Sequence, residues 1–435
     1  MRVLIIGAGI GGLATALSLH AAGLDCVIAE SVAELRPLGV GINLQPHAVR
    51  ELTELGLGEA LAEVGVPTSY LSYTDRYGGE ILSLPRGRRA GYHWPQYSIH
   101  RGELQMLMLE AVRERLGPDR VRTGLVFEDF VQGAARVTAR LREACSGRLV
   151  EEDADLLVGA DGVNSTVRAR LHPSEDPLLW NGIRIWRGTA SGREEFLDGM
   201  TLLVAGSNRA AKIVAYPISA RERARGRALV NWVAEVKVGE PGPAPAADWS
   251  RAGRLHDVLA HYEDWRLPYL DVPELIRASD RILEYPMADR DPLPFWSEGR
   301  VTLLGDAAHP MYPIGSNGGS QAVLDARVLA RALALRAPDV PAALADYEDE
   351  RREATARLVL AHRELPMEET IGKVLERAPH GFTDIANVLT PAELADMAAV
   401  QKRITDMDVR TLNERPSWSV LHGASLSFGQ VVNVV

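Results

Sequence analysis

The sequence predicts an α/β fold built on a parallel sheet that is covered by helices. A short apolar run at residues 3–6 leads through a glycine-rich turn into an Ala- and Leu-rich segment at residues 13–22. Two later apolar runs, at residues 155–159 and 300–305, each end in an acidic turn that precedes a helix-forming segment. Buried parallel strands are typically continuous apolar runs joined by helices, so all three units favour this fold class.

Composition places the chain among ordinary globular proteins. It has 435 residues, 46% of them hydrophobic, and 48 basic against 58 acidic residues give a formal net charge of −10. At roughly 150 residues per domain, this length predicts two or three domains. The acidic balance argues against a nucleic-acid partner, because phosphate neutralisation needs a basic face. No stretch approaches the ~20 apolar residues of a membrane span, so we expect no membrane partner either.

Cysteine and histidine usage indicates a reduced, cytoplasmic protein without a metal. Cys26 and Cys145 are the only cysteines, too few for a disulfide scaffold or a cysteine-rich metal site. The apolar segment 1–23 contains glycines throughout, which favours a strand, turn and helix over a signal peptide. His309 has no second ligand at metal-binding spacing beside it, so we expect either a structural role or a place close to a group bound at the adjacent turn.

The first turn has the pattern of a dinucleotide-binding fingerprint. Gly7 allows a tight turn, Gly9 lets the backbone approach a pyrophosphate, and Gly12 permits close packing of the helix on the strand. The helix N-terminus then presents N–H groups and its positive dipole end to the phosphates. A second apolar run, residues 26–29, ends at Glu30, which can accept hydrogen bonds from an adenosine ribose. An acid there disfavours a 2′-phosphate and predicts FAD or NAD; the alternative is a solvated carboxylate at a strand end.

Two further turns follow apolar runs and carry an acid each. Asp161-Gly162 precedes Ser165, and either Asp161 or Ser165 can cap the helix that starts there. Gly305-Asp306 follows the third run and precedes a glycine-rich loop and a helix from Gln321 onward. Acidic turns at neighbouring strand ends can converge on one cofactor.

With these motifs the sequence resembles the single-component FAD-dependent aromatic hydroxylases typified by para-hydroxybenzoate hydroxylase. The three turns are that family's motifs, and the match runs in order over most of the chain. Within the family the chain looks most like the phenazine-carboxylate hydroxylase-like monooxygenases. Further family-like stretches lie at residues 39–48, 55–57, 99–104, 186–188, 216–217 and 231–232.

The resemblance implies a non-covalently bound FAD and assigns residues to it. Gly7, Gly9, Gly12 and Glu30 would hold the ADP half, and Arg101 the phosphate or ribityl region. Asp161 belongs to a motif linked to both FAD and NAD(P)H, and Asp306 would bind a ribityl or ribose hydroxyl. Backbone N–H groups of a loop would face the flavin's pyrimidine end; its residues are Pro313, Gly315, Ser316, Asn317 and Gly318. This loop departs from the commoner Pro-x-x-Gly-Gln-Gly-x-Asn, which we interpret as a subgroup signature.

The implied architecture is an FAD-binding Rossmann-like domain of the glutathione-reductase type, interrupted by an α+β substrate domain on a mixed sheet and followed by a helical C-terminal region. Beta-rich runs with polar turns between the second and third motifs support the inserted sheet. The predicted division is residues 1–70, 93–175 and 277–345 for the FAD-binding domain, 71–92 and 176–276 for the substrate domain, and 346–435 for the helical region.

Side chains of the inserted region and of the segment just after the third motif are candidates for the substrate pocket. Arg184, Tyr216, Met311 and Tyr312 are the selected residues, because flat rings and a guanidinium can hold an aromatic acid beside a flavin. Most aromatic residues of a sheet are core residues, and Arg184 can equally be a surface arginine.

The predicted function is that of an aromatic hydroxylase: NADH or NADPH reduces FAD, O2 forms a C4a-hydroperoxyflavin, and one oxygen passes to a small aromatic or heteroaromatic substrate. No catalytic side chain is obligatory, because the flavin carries the oxygen chemistry. A flavin-dependent oxidase or dehydrogenase is one alternative, and a non-enzymatic FAD- or NAD-binding redox sensor is another. The expected assembly is a monomer or homodimer.

Overall fold

The computed structural model describes residues 1–194, 197–244, 248–365, 367–405 and 408–420. The loop around residues 239–247 and the predicted helical region 346–435 therefore extend partly beyond the described residues. The strands are β1 (Arg2–Ile6), β2 (Asp25–Ala29), β3 (Gly41–Leu44), β4 (Val66–Thr68), β5 (Tyr70–Thr74), β6 (Glu80–Pro85), β7 (Gln96–His100), β8 (Val121–Arg122), β9 (Leu125–Gln132), β10 (Val137–Glu143), β11 (Leu149–Ala154), β12 (Leu156–Gly159), β13 (Leu179–Glu194), β14 (Thr201–Gly206), β15 (Ala211–Pro217), β16 (Arg227–Lys237), β17 (Gly242–Pro243), β18 (Arg266–Leu267), β19 (Leu270–Asp271), β20 (Ser279–Asp289), β21 (Ser297–Glu298) and β22 (Val301–Leu303). The helices are α1 (Ile10–Ala21), α2 (Pro46–Glu54), α3 (Gly58–Val64), α4 (Arg101–Leu116), α5 (Thr166–Leu171), α6 (Ala220–Arg223), α7 (Leu255–Tyr262), α8 (Val272–Arg277), α9 (Gly318–Arg336), α10 (Val340–Arg363), α11 (Met367–Arg377), α12 (Pro391–Thr405) and α13 (Val409–Glu414).

A six-stranded sheet with the order β21-β22-β12-β1-β2-β8 forms the first layer. Strand β21 runs antiparallel to its neighbour, and the other pairs are parallel. In register, Ile6 is opposite Gly159, which is opposite Leu303, so the three motif-bearing turns leave the sheet at one edge. The predicted α/β fold class is confirmed, and the apolar runs form this sheet because they are buried on both faces.

An eight-stranded mixed sheet forms the second layer, with the order β17-β13-β16-β15-β14-β5-β6 and β20 paired to β13. Only the pair of β14 with β5 is parallel among its described strands. Side chains alternate between its faces along each strand. One face, including Trp186 and Trp232, packs on α7 and α8 in a buried core. The opposite face is turned toward the parallel sheet and lines a cavity.

The strands of this second sheet come from three parts of the sequence. Strands β5 and β6 come from the first part of the chain, β13 to β17 from a later part, and β20 from a third part. All of them pair within this one sheet. The predicted division put residues 277–345 with the FAD-binding domain, whereas β20 pairs with β13 over most of its length. We therefore propose a boundary after Asp289; the division into domains itself remains a proposal.

The C-terminal helices are shared between the two layers. Helix α10 packs along α9, which in turn packs on α1 of the parallel-sheet layer. Helix α11 packs on the cavity side of the large sheet through Met367 and Ile371, which share a core with Leu71 and Leu202. None of the helices in the described ranges is long and apolar enough to cross a bilayer.

Candidate active site

A cavity of about 680 Å³ lies between the carboxyl ends of the parallel strands and the inner face of the large sheet. Several residues predicted to bind the cofactor line it: Gly9, Arg101, Asp161, Asp306, Pro313, Gly315, Ser316, Asn317 and Gly318. Three of the predicted substrate residues also line it: Tyr216, Met311 and Tyr312. The lining does not include Gly7, Gly12, Glu30 or Arg184.

The glycine turn leaves room for a phosphate held by backbone. A Cβ at Gly12 would lie 1.9 Å from the carbonyl oxygen of Gly7, so only glycine lets α1 pack this close to β1. A Cβ at Gly9 would meet no atom within 4 Å, which leaves open space beside the N-terminus of α1. That terminus has no side-chain cap in the described residues, so its N–H groups can serve a pyrophosphate. The turn therefore fits a dinucleotide.

Glu30 lies at the end of β2 and is only 9% exposed. Its Oε2 accepts a hydrogen bond from the Ala8 N–H at 2.7 Å. Its Oε1 accepts from the Val32 N–H at 2.9 Å and from Ser31 Oγ at 3.0 Å. The carboxylate is thus part of the glycine turn rather than a freely solvated group, and with about four acceptor sites it keeps capacity for a ribose hydroxyl. Its role toward the ribose stays a prediction.

Asp161 caps the helix that follows it. Its Oδ2 accepts from the N–H groups of Thr166 at 2.8 Å and Val167 at 3.1 Å, and Ser165 Oγ donates to its Oδ1. Burial raises the pKa of Asp161, although these donors oppose the shift. The cap that the sequence offered as one interpretation is present, and Asp161 also lines the cavity.

Arg168 connects the second turn to the third, a role that the sequence did not indicate. Its Nη1 donates to the carbonyl oxygens of Ala307 at 3.1 Å and Ala308 at 2.9 Å. The guanidinium also forms a two-pronged ion pair with Glu175. Because Arg168 is buried, this pairing compensates a charge that would otherwise be costly.

Asp306 and His309 stand on a buried polar network beneath the cavity. His309 Nε2 lies 2.6 Å from Asp325 Oδ2, which also accepts from the Gly305 N–H at 3.1 Å. Burial opposes ionisation of Asp325, but His309 and Arg351 hold its pKa below the usual range. Burial raises the pKa of Asp306, which faces the cavity. His309 is thereby fixed in place by Asp325, in keeping with the structural role expected from the sequence.

The loop before α9 brings a helix N-terminus to the cavity. Gly315 and Ser316 adopt left-handed conformations with φ of 67° and 57°, and the Gly315 carbonyl accepts from Gln45 Nε2 at 2.7 Å. A left-handed conformation is uncommon for a serine and often marks a functional loop. The 19-residue helix α9 begins directly after it at Gly318 and directs its positive dipole end here.

Four of the family-like sequence stretches meet at the backbone of Gly41. Its N–H donates to Asn231 Oδ1 at 2.7 Å, and its carbonyl oxygen accepts from Tyr216 Oη at 3.0 Å. Arg187 donates to the same carbonyl oxygen. A Cβ on Gly41 would lie 2.7 Å from both Asn231 Cβ and Ile218 Cγ2. This contact fastens β3 to the large sheet, which explains why these separated stretches occur together.

Arg184 is a correction to the sequence prediction. It is exposed, lies 3.7 Å from Glu284 and stacks over Trp186 on the face of the sheet away from the cavity. Side chains of a strand alternate between faces, so its neighbours Ile185 and Arg187 line the cavity instead. The strand that contains Arg184 does contribute to the cavity wall, but the sequence does not show which of its side chains face the cavity.

A polar cluster that the sequence did not indicate lies at the opposite end of β15 from Tyr216. Lys212 Nζ donates to Asn208 Oδ1 at 2.6 Å and lies 2.9 Å from Glu235 Oε2, and all three side chains are buried and line the cavity. Tyr262 Oη holds the backbone beneath them by donating to the carbonyl oxygens of Lys212 and Glu235. One signal was available: Lys212 is among only four lysines and opens an apolar strand.

The glycine turn has room for a phosphate, and both acidic turns leave the same sheet edge beside the cavity, which is the arrangement of a dinucleotide-binding protein. The chain belongs to the family described as FAD binding domain, which matches residues 1–236 and 274–361. FAD is therefore the dinucleotide, as predicted.

The relatives are flavoprotein hydroxylases. The phenazine 1,6-dicarboxylic acid hydroxylase of Lysobacter antibioticus is 51% identical over 364 residues, which are 83% of this chain and 89% of the relative. The 3-hydroxybenzoate 6-hydroxylase 1 of Aquipseudomonas alcaligenes is 34% identical and covers 82% of this chain and 86% of its own. Among solved structures, Klebsiella pneumoniae HpxO complexed with FAD and uric acid matches with a TM-score of 0.70, 26% identity and 95% coverage of both chains.

These findings confirm the predicted enzyme class. The chain is an NAD(P)H-dependent flavoprotein monooxygenase of the aromatic hydroxylase type, with O2 as co-substrate. The assignment of single residues to FAD or to the substrate stays a prediction, which the placement of Arg184 has already revised.

Proposed function

We propose that this chain hydroxylates a carboxylated polycyclic aromatic compound, with a phenazine carboxylic acid as the first candidate. One observation carries the proposal: the cavity runs from the loop predicted to face the flavin to a broad apolar sheet surface. Val204, Val214 and Val233 provide that surface, because they lie directly opposite one another on three adjacent strands. A flat aliphatic wall suits fused rings. The 51% identity to a phenazine 1,6-dicarboxylic acid hydroxylase supports the choice.

The cofactor residues proposed from the resemblance remain those of the three turns and the loop before α9. The backbone at Gly9 would hold the pyrophosphate, Glu30 the ribose, Arg101 a phosphate or ribityl oxygen, and Asp306 a sugar or ribityl hydroxyl. Bound FAD would supply the redox and oxygen-activating chemistry, with NADH or NADPH as the reductant and O2 as the source of the oxygen that enters the ring. Every other task falls to side chains and backbone of this chain.

The protein's own contribution is orientation, exclusion of water and electrostatic support. The sheet face and the side chains of Met311 and Tyr312 would hold the ring against the flavin and keep water away from it. The positive end of α9 and the N–H groups of residues 315–319 would favour negative charge at the pyrimidine end of a reduced flavin. No acid or base of this chain needs to touch the reacting atoms.

Product labelling under ¹⁸O2 tests the proposal. We expect phenazine-1-carboxylate or phenazine-1,6-dicarboxylate to stimulate NAD(P)H oxidation by the FAD-loaded protein and to yield a product with one labelled oxygen. Stimulation with all label in peroxide would show uncoupled oxidation and contradict hydroxylation of that ring. If smaller phenolic acids were hydroxylated and both phenazines were inert, the substrate class would be wrong.

We further propose a cytoplasmic monomer or homodimer that does not bind nucleic acid. The net charge of −10 supports the last point, since a basic face is what nucleic acid requires. Light scattering of the FAD-loaded protein checks the assembly, and a higher oligomer would contradict it.

A further inference from the structure

Arg86 is a cation in the cavity wall without a carboxylate partner. It directly follows β6 and lines the cavity. Its Nε donates to Gln96 Oε1 at 2.9 Å and its Nη2 to Gln45 Oε1 at 3.1 Å. Both partners are neutral amides. In the described part of the chain Arg86 forms no ion pair, and its Nη1 donates no hydrogen bond.

Several other enclosed cations among the described residues have a carboxylate partner. Arg168 pairs with Glu175, Arg327 with Glu51, Arg351 with Asp325, and Lys212 with Glu235. The contrast is informative because an enclosed charge without a counter-ion is costly. Two further cavity cations lack a carboxylate: Arg187 is engaged by Gly41 and Tyr285, and Arg101 is the exposed residue assigned to the cofactor.

No acid in the described ranges influences the pKa of Arg86. Burial lowers its pKa, and the opposing influences come from Tyr73 and Tyr92, phenols that are neutral near pH 7. Tyr73 itself donates to Gln401 Oε1 at 2.7 Å. Among the described residues, the positive charge of the half-buried Arg86 is therefore not balanced by an acid.

The guanidinium is also held in one orientation. Gln45 donates through Nε2 to the Gly315 carbonyl at 2.7 Å, and Gln96 approaches Asn43 Oδ1 at 3.4 Å. Two fixed amides therefore position Arg86 through Nε and Nη2, which leaves Nη1 of this cavity-lining side chain available to a ligand. A planar guanidinium held in this way is suited to a carboxylate, because little conformational entropy is lost on binding.

We propose that Arg86 is a specificity-determining residue that binds the carboxylate of the aromatic substrate. The proposal rests on the proposed function, since it names the group of that substrate which this chain recognises. The anion that Arg86 binds could also be the reduced flavin, which carries a delocalised negative charge. The experiment distinguishes the substrate carboxylate from the flavin.

Binding to the oxidised, FAD-loaded protein tests this without turnover. Phenazine-1-carboxylate and phenazine-1-carboxamide are titrated while the flavin absorbance is followed, with benzoate and benzamide as a second pair if no phenazine binds. We expect Arg86→Gln to raise the Kd of the carboxylate about 10- to 100-fold, the loss typical of a charge-assisted hydrogen bond, and to leave the amide within a few-fold. Arg86→Lys should restore part of the carboxylate preference. Arg89→Gln, an exposed arginine of the same turn, is the matched control.

Three outcomes would overturn the assignment. An equal loss for carboxylate and amide would mean that Arg86 only maintains structure. An unchanged Kd together with a lowered flavin midpoint potential in the ligand-free protein would place the anion on the flavin. If the unsubstituted protein binds each acid no more tightly than its amide, the cavity does not recognise a carboxylate. If neither phenazine binds but benzoate binds more tightly than benzamide, only the proposed substrate is wrong. The anion site at Arg86 is then supported.

Discussion

At the residue scale, single atoms decide how the cofactor part and the substrate part of this enzyme meet. Gly41 exposes both its N–H and its carbonyl oxygen to the large sheet, and Asn231, Tyr216 and Arg187 bind them. Hydrogen bonds to an N–H and a carbonyl require close approach, which a Cβ would prevent. The contact therefore depends on the absence of a Cβ at Gly41.

We expect Gly41→Ala to separate β3 from the large sheet. Its Cβ would lie 2.7 Å from Asn231 Cβ, so the neighbours must move, at a cost of about 1–3 kcal/mol in the free energy of unfolding. Denaturant titration measures this loss. Gly133→Ala is the control, because its Cβ would meet only the Arg136 carbonyl oxygen, at 3.9 Å. Equal stability of both variants would contradict the close contact.

Glu30 supports a second prediction at this scale. Glu30→Arg replaces the proposed ribose acceptor with a cation and removes the acceptor of the Ala8 N–H. We expect at least a tenfold rise in the Kd for FAD, since charged hydrogen bonds contribute about 1.5–3 kcal/mol. Fluorescence titration of the apoprotein provides the measurement. The exposed carboxylate variant Glu34→Arg should bind FAD as the unsubstituted protein does, and parity between the two variants would argue against the assignment.

At the element scale, helix α2 carries a buried histidine, His47, whose effect on the free energy of unfolding depends on pH. His47 is 6% exposed, and neither ring nitrogen has a hydrogen-bond partner in the described residues. Burial, reinforced by Arg351 and Arg415, lowers the pKa of His47 from 6.5 to about 3. Between those values the unfolded chain binds a proton that the folded chain does not. The stability associated with a neutral His47 is therefore present above pH 6.5 and is lost as the pH falls below it.

His47→Phe should remove this dependence. Relative to the variant, the unsubstituted protein should lose about 1.4 kcal/mol of unfolding free energy per pH unit below 6.5, or about 2 kcal/mol by pH 5. Urea titrations at several pH values measure the difference. His20→Phe, at an exposed position, controls for the loss of an imidazole. Parallel stability curves for the unsubstituted protein and His47→Phe would show that the pKa is not depressed.

At the scale of the whole molecule, the C-terminal segment returns to the first layer. Glu51 of α2 is fully buried and pairs with Arg327 of α9 at 3.0 Å and with Arg415 beyond α13. Arg415 also stacks on Trp418, 3.5 Å from the ring centre. Three distant parts of the chain are thus joined through one carboxylate, which fixes the C-terminal segment to the first layer.

Arg327→Met should destabilise the folded protein by about 3–5 kcal/mol, because part of the counter-charge of buried Glu51 is lost. Adding Glu51→Gln should recover much of the loss, since the uncompensated charge is then absent. Arg336→Met, which breaks an exposed ion pair with Asp346, should cost less than about 1 kcal/mol. Chemical denaturation of the three variants measures these differences. A double variant no more stable than Arg327→Met would indicate that packing, not charge, governs this site.

The sequence by itself determined the fold class, the cofactor and the three turns that meet at the cavity. Each turn is a local pattern, in which an apolar strand, a glycine or acid and a helix follow one another within a few residues, so nearest-neighbour chemistry specifies it. Ile6, Gly159 and Leu303 end neighbouring strands because such runs are stable only when buried side by side.

Only the tertiary structure decided which side chains face the cavity. Arg184 and Arg187 are three residues apart, and both were available as the basic residue of the pocket; strand register placed the first on the outer face and the second on the inner one. Arg86 and the cluster of Lys212 with Glu235 became visible only when strands from distant parts of the chain were paired. The physical reason is that burial and charge compensation are sums over neighbours in space, whereas local sequence patterns constrain only neighbours along the chain.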